Sequence, residues 1–377
     1  MNKIIPITSP YFDEKELIKV KECLDSGWVT QGPMVEQFEK EFRKVHESNY
    51  AVAVSSCTAA LHMALLALGI GRGDEVIVPA FTWITSASCA EYVGADVRFV
   101  DVEKETMNIN PAKIEEAISP KTKAIIVVHL FGNPAKMDEI MNIARRHNLY
   151  VVEDCACAIG STYRGKKVGT IGDIGCFSFH PRKAITTGEG GICSTDNEEV
   201  YHRLLQLRNH GASVTKRGQE YGKPYYMGIY DTVGFNLRMS DIQAAVGIVQ
   251  FEKLEKLLKD RHKSAMYYID ALLGKDSILT PNFEEGFGHT YQSFVILLRD
   301  KTKRNFIMEE MLKNGVQTRP GTIAITRTEY NKQKYGLSDG DFPIAEYCED
   351  CSITLPIYPF MVQEDLDKVL DILNRNL

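Results

Sequence analysis

Phe177-Ser178-Phe179-His180-Pro181-Arg182-Lys183-Ala184-Ile185-Thr186-Thr187-Gly188-Glu189-Gly190-Gly191 decides the reading of this chain. An aromatic strand stops at a proline, and a lysine follows in a segment rich in threonine and glycine. By base rate a lysine is a solvated surface residue. A lysine beside a sheet end, fenced by aromatics, is instead a Schiff-base candidate, because desolvation lowers its pKa and frees the amine. Upstream, Val151-Val152-Glu153-Asp154 ends an apolar run in two carboxylates. Parallel sheets bind ligands at the carboxyl ends of their strands, and an Asp there can hold a cationic ring nitrogen.

Further upstream, Ser55-Ser56-Cys57-Thr58-Ala59-Ala60-Leu61-His62 puts small polar residues between a strand and a helix. Free amides and the helix dipole at that junction can seat a phosphate, although Thr58 alone could merely cap its helix. Pro79-Ala80-Phe81-Thr82-Trp83-Ile84 then sets one of only two tryptophans at the next sheet end. A tryptophan there is ordinarily core, but a planar cofactor also needs an aromatic face to stack on. Phosphate seat, stacking aromatic, ring-nitrogen carboxylate and Schiff-base lysine together are the parts of a pyridoxal phosphate enzyme.

The rest of the chain supplies a scaffold for that site. Short β-branched runs at 50–54, 75–79, 97–100, 124–129, 150–153, 175–179 and 191–194 alternate with helical periodicity at 58–68, 84–92, 111–117, 137–147 and 198–209. That rhythm predicts βα units around a mostly parallel sheet. Two helices, 14–24 and 34–45, precede it, joined by a Gly/Pro turn. A Gly- and Tyr-rich stretch at 208–235 is longer than a passive connector and reads as functional. A helix over 240–273, with Ser240 as N-cap, leads to a smaller α+β unit with strands at 292–297 and 316–318 and helices at 304–314 and 364–374. The domain boundary is set at 1–245 and 246–377.

With 44 Lys and Arg against 50 Asp and Glu, interspersed, the 377 residues carry no basic footprint for nucleic acid or an anionic membrane. No apolar run is long enough to span a bilayer, and no signal peptide is recognisable. Nine cysteines without zinc-ribbon spacing imply reduced thiols, a cytoplasmic setting and no metal site.

On these motifs the sequence resembles the DegT/StrS-type sugar aminotransferases, of the aspartate aminotransferase fold type I. The resemblance runs from Gly27-Trp28-Val29-Thr30-Gln31-Gly32-Pro33 through His129-Leu130-Phe131-Gly132-Asn133 and the lysine segment to Gly234-Phe235-Asn236-Leu237-Arg238-Met239-Ser240. It implies an α/β fold in which a mixed, mostly parallel seven-stranded sheet lies between helices, plus the small C-terminal domain. By the same resemblance Lys183 holds the cofactor and shuttles the proton, and Asp154 partners the pyridine nitrogen. Trp83 stacks, while Ser56, Cys57, Thr58, Ala59 and Ser178 seat the phosphate. Asn236 reaches the phosphate of the neighbouring subunit, making a homodimer with shared sites. Trp28, Thr30, His180 and Arg319 are the implied substrate contacts. The implied reaction takes an amino group, with glutamate as donor and pyridoxamine phosphate as carrier, to a nucleotide-linked keto-sugar, in the biosynthesis of a surface polysaccharide or secondary metabolite.

Three positions depart from the family pattern. Cys157 stands where many members place Gln or Glu against the cofactor's phenolic oxygen, and a thiol is a poor donor. His180 replaces a frequent aromatic and reads as an acid–base group or, more commonly for histidine, a packer. Ile323-Ala324-Ile325-Thr326 lacks the histidines that some relatives carry after the Thr-Arg-Pro run. One alternative keeps the transaminase chemistry but takes a small ketone acceptor such as a keto-cyclitol or triose phosphate, and a rival within the fold is a sugar dehydratase, against which Lys183 argues. A non-catalytic binding protein on the same scaffold, and a metal protein using Cys155, Cys157, Cys193 and His180, complete the set.

Overall fold

The computed structural model describes residues 4–212, 229–281 and 284–377; residues 213–228 of the Gly/Tyr-rich stretch lie outside them. Seven strands form the central sheet: β1 (Tyr50–Val54), β2 (Glu75–Pro79), β3 (Asp96–Val100), β4 (Thr122–Val128), β5 (Tyr150–Asp154), β6 (Ile174–Ser178) and β7 (Gly191–Thr195). Their order is β1-β7-β6-β5-β4-β2-β3. β7 is antiparallel to both neighbours and every other pairing is parallel. The near-continuous apolar runs follow from burial on both faces.

Helices α1 (Glu14–Asp25) and α2 (Pro33–His46) precede the sheet. Between and after its strands come α3 (Cys57–Ala67), α4 (Thr85–Tyr92), α5 (Ile114–Ala117), α6 (Met137–His147) and α7 (Glu198–Arg208), and α8 (Asp241–Leu272) leads out of the domain. Leu61 and Met63 of α3, Cys89 of α4 and Leu204 of α7 pack on one face. Phe38 and Phe42 of α2, Ile140 of α6 and Phe251 of α8 pack on the other.

Local chemistry explains the starts of these helices. Ser240 caps α8 in a reciprocal box with Gln243. Asp241, in the first turn, accepts from the amides of Gly32 (2.7 Å), Met34 (3.1 Å) and Val35 (3.0 Å), so one carboxylate caps α2 from another helix. Pro33 sits at the first helical position of α2, where a missing amide does no harm.

A smaller antiparallel sheet, β8 (Ile278–Leu279), β9 (Phe294–Leu298) and β10 (Ser352–Leu355), carries α9 (Arg304–Lys313) and α12 (Gln363–Asn376). Its core also takes Ile5 from the N-terminus and Ala265, Tyr268 and Leu272 from the far half of α8. The near half of α8 packs on the large sheet, so the 245/246 boundary falls in a helix shared by both units. Helices α10 (Glu329–Tyr335) and α11 (Pro343–Cys351) return to the large unit, where Ala345 and Cys348 join its core.

The strand expected at 316–318 is corrected. Val316 makes a single parallel bridge to Ile5 and Arg319 one bridge to Thr354; Pro320, without an amide, ends any ladder there. Among the described residues no helix is long and apolar enough to cross a membrane.

Candidate active site

The carboxyl ends of β4, β5 and β6 open into a cavity of about 540 Å³ whose wall contains Ser56, Cys57, Thr58, Trp83, Asp154, Cys157, Ser178, His180, Lys183 and Arg319. Pleat geometry sorts the two carboxylates that end β5. Asp154 turns to the cavity, accepting from Ser86 Oγ (2.9 Å) and the Ala156 amide (3.1 Å). Burial pushes its carboxyl up, against the pull of these two donors.

Glu153 turns the other way. It accepts from the amides of Gly169 (2.8 Å), Ile171 (2.8 Å) and Gly172 (2.6 Å) and pairs with His129 Nε2 at 2.9 Å. Burial opposes its charge, yet His129 and the amides outweigh burial and hold the carboxyl below its ordinary value. Because His129 Nδ1 accepts from the Ala135 amide at 3.1 Å, its proton sits on Nε2. Glu153 is therefore a staple between β5 and the turn before β6, and takes no part in the cavity.

Helix α3 begins where β1 ends, and Ser56 is its N-cap, its Oγ accepting from Ala59 at 3.1 Å. The cap is thus Ser56, with Thr58 inside the first turn. The first amides of a helix have no intrahelical acceptor, and Cys57 and Thr58, in that first turn, line the cavity. Strand β7 passes so close that a Cβ on Gly191 would meet the Ser56 carbonyl carbon at 2.4 Å, which explains glycine there.

Lys183 is in a tight turn: its amide donates to the His180 carbonyl (2.8 Å), and the Arg182 amide donates to His180 Nδ1 (3.2 Å). His180 both lines the cavity and ties the lysine turn, and burial lowers its pKa. Lys183 Nζ reaches Cys157 Sγ at 3.3 Å. Trp83 stands at the rim, 61% exposed. Ile323 and Ala324 pair with Thr82 and Phe81, which folds the 319–323 segment over the mouth. Burial lowers the pKa of Arg319, and Arg182 pushes it the same way.

Trp28, Thr30 and Asn236 are exposed and lie outside this wall, as does Ala59. Sequence reading missed Ser86, which holds Asp154, and Gln292, Glu189 and Arg182, which join the wall. Cys155, Cys157, Cys193 and His180 do not gather. Among the described residues the cluster that does is His129, Glu153 and Cys155, whose histidine and glutamate are already engaged.

A lysine amine, a buried carboxylate, a helix N-terminus and an aromatic rim around one cavity fit pyridoxal phosphate: aldehyde to Lys183, ring nitrogen to Asp154, phosphate to the start of α3. Residues 10–374 match the DegT/DnrJ/EryC1/StrS aminotransferase family. The chain is 37% identical over 375 residues to a GDP-perosamine synthase of Escherichia coli O157:H7, covering 99% of this chain and 98% of that one. It is 36% identical over 377 residues to the spore coat polysaccharide biosynthesis protein SpsC of Bacillus subtilis, covering 98% and 96%. The solved structure of an aminotransferase from Psychrobacter cryohalolentis matches with a TM-score of 0.93 at 32% identity, over 97% of each chain.

Proposed function

From its membership of the DegT/DnrJ/EryC1/StrS aminotransferase family, to which this chain belongs as a pyridoxal phosphate-dependent aminotransferase, we propose that it carries an amino group from L-glutamate to a keto-sugar linked to a nucleotide. The observation that carries this reading is the convergence of Lys183, Asp154 and the first turn of α3 on one cavity, with Arg319 at its mouth. When bound, pyridoxal phosphate supplies the aldehyde and the electron sink.

The chain's own residues do the rest. Among the described residues Lys183 is the one amine in the wall, placed to take and return the proton at the reacting carbon. Asp154 keeps a proton on the ring nitrogen: a cationic partner offsets the burial that otherwise raises its pKa. The amides of Cys57 and Thr58, with Ser178, receive the phosphate dianion. Arg319, with Arg182 beside it, suits the anionic groups of donor and nucleotide. Trp28, Thr30 and Asn236, exposed and outside their own cavity, serve the site of a second copy in a homodimer.

The test is a panel of nucleotide-linked 3-keto and 4-keto sugars with glutamate as donor, read as 2-oxoglutarate formed and amino-sugar recovered. Turnover with none of the sugars but with a small ketone rejects the nucleotide-sugar assignment. The Lys183→Ala protein should fold normally and show no turnover. Borohydride reduction of the wild type should fix the cofactor on Lys183 in peptide mass mapping; an adduct on any other lysine rejects its role.

A further inference from the structure

We infer that Gln292 is a positioning residue for Lys183, through which the small domain sets the lysine turn; the inference rests on the aminotransferase reading above. Gln292 is 5% exposed and forms part of the cavity wall. Its Nε2 donates to the carbonyl of Arg182 at 2.7 Å. That carbonyl belongs to the peptide unit that carries the nitrogen of Lys183, so the bond fixes the plane from which the lysine side chain departs.

The backbone around Gln292 is over-determined. Tyr291, just before it, is buried at φ 48°, a left-handed conformation disfavoured for an aromatic residue, and stacks on His289 at 4.0 Å and 8°. Strain of this kind persists where the surroundings demand it, and it gathers at functional sites. The Gln292 carbonyl is held by the buried Arg261 of α8 at 3.2 Å, and the same Nη1 holds the Ile357 carbonyl at 3.0 Å. Arg261 therefore anchors this strap to the small domain.

On its other side the strap is stitched to the large domain. The Thr290 amide donates to the Gly132 carbonyl (3.1 Å), the Ser293 amide to the Phe131 carbonyl (3.4 Å), and Ser161 Oγ joins the Gly132 carbonyl (2.8 Å) to Thr290 Oγ1 (2.9 Å). Phe131, itself at φ 60°, lines the cavity. Gly132, at φ 93°, has no room for a side chain: a Cβ would meet Thr290 Oγ1 at 2.4 Å, the Cys157 carbonyl at 3.1 Å and the Gln292 amide at 3.3 Å. The strap thus reaches the lysine turn through the Arg182 carbonyl, while the lysine's own Nζ lies 3.3 Å from Cys157 Sγ.

Gln292→Glu keeps the shape and turns the donor into an acceptor facing the Arg182 carbonyl; Gln292→Leu removes the donor. Both are made in the cofactor-loaded enzyme and measured beside wild type. Loss of one transition-state-relevant hydrogen bond predicts a fall in kcat of about tenfold, with KM for glutamate changed less than about twofold. The midpoint of the pH titration of the visible cofactor band should also move, because it reports the placement of the Lys183 nitrogen. If one variant fails to fold, the other decides. A variant that lowers Tm but keeps wild-type kcat and titration midpoint overturns the inference and leaves Gln292 a structural tie. A wild type that gives no borohydride adduct on Lys183 marks failure of the aminotransferase reading itself, and is separable from both results.

Discussion

A single buried carboxylate shows how function and stability pull apart at the residue scale. Without a cation on a bound ring, ionised Asp154 is unfavourable in the fold, since burial raises its pKa despite the Ala156 and Ser86 donors and the charge of Lys183. A folded pKa above the unfolded one means that the cofactor-free protein loses stability as pH rises through that window. Asp154→Asn should therefore leave the Tm of cofactor-free protein at pH 7.5 unchanged or raised, while turnover falls at least about a hundredfold, the scale of losing one preorganised charge. The variant should still take up cofactor, since the phosphate seat and Trp83 are untouched. Differential scanning fluorimetry and single-turnover kinetics check this; near-normal turnover would give the ring nitrogen another partner. Lys183 and Asp154 were legible in sequence because each ends or follows a strand in distinctive company. Gln292 was not, because its role depends on a contact to residue 182, 110 positions away.

At the scale of elements, the seven strands and the helices between them fall within three residues of their sequence-based positions, because periodicity and punctuation agree along that region. The C-terminal unit was less legible: α10, α11 and β10 were not anticipated, and 316–318 is no strand. Its elements are short and take their definition from the large unit, as when Asp101 accepts from the amides of Ile344 and Ala345 at the start of α11. Helix α2 carries a prediction of its own. His46, at its end, is fully buried, stacks on Phe42 at 4.5 Å and 9°, and has its pKa lowered by burial from 6.5 to about 3. A folded pKa below the unfolded one gives stability that is present above pH 6.5 and lost as pH falls toward about 3. His46→Phe keeps the stacked ring and removes the titration. Its unfolding free energy from urea titration should match wild type within about 1 kcal/mol at pH 7.5 and exceed it at pH 4.5. Parallel decline of both proteins between those pH values would show that His46 does not limit acid stability.

For the whole molecule the open matter is why Trp28, Thr30 and Asn236 stand apart from the cavity their motifs pointed to. Contacts tie the loop that carries Trp28 and Thr30 to the start of α8: Asp241 holds the amides of Gly32, Met34 and Val35, and its own amide donates to the Thr30 carbonyl at 3.2 Å. Asn236 precedes the same helix, and one bridge joins it to Asn209. The three therefore share a region that the single chain leaves exposed. If a second copy receives it, two inactive variants should repair each other. Lys183→Ala lacks the amine in its own site but still offers an intact Asn236. Asn236→Asp keeps the amine and sends a carboxylate toward the partner's phosphate, a repulsion of about 4 kcal/mol at 4 Å and an effective dielectric of about 20. Random pairing in an isologous dimer makes half the dimers hybrid, and each hybrid has one site free of both defects. After verified subunit exchange the mixture should reach up to roughly one quarter of the wild-type activity per subunit. Activity that stays at the level of the separate variants would place Asn236 in the service of its own subunit, and the shared-site arrangement would have to be abandoned.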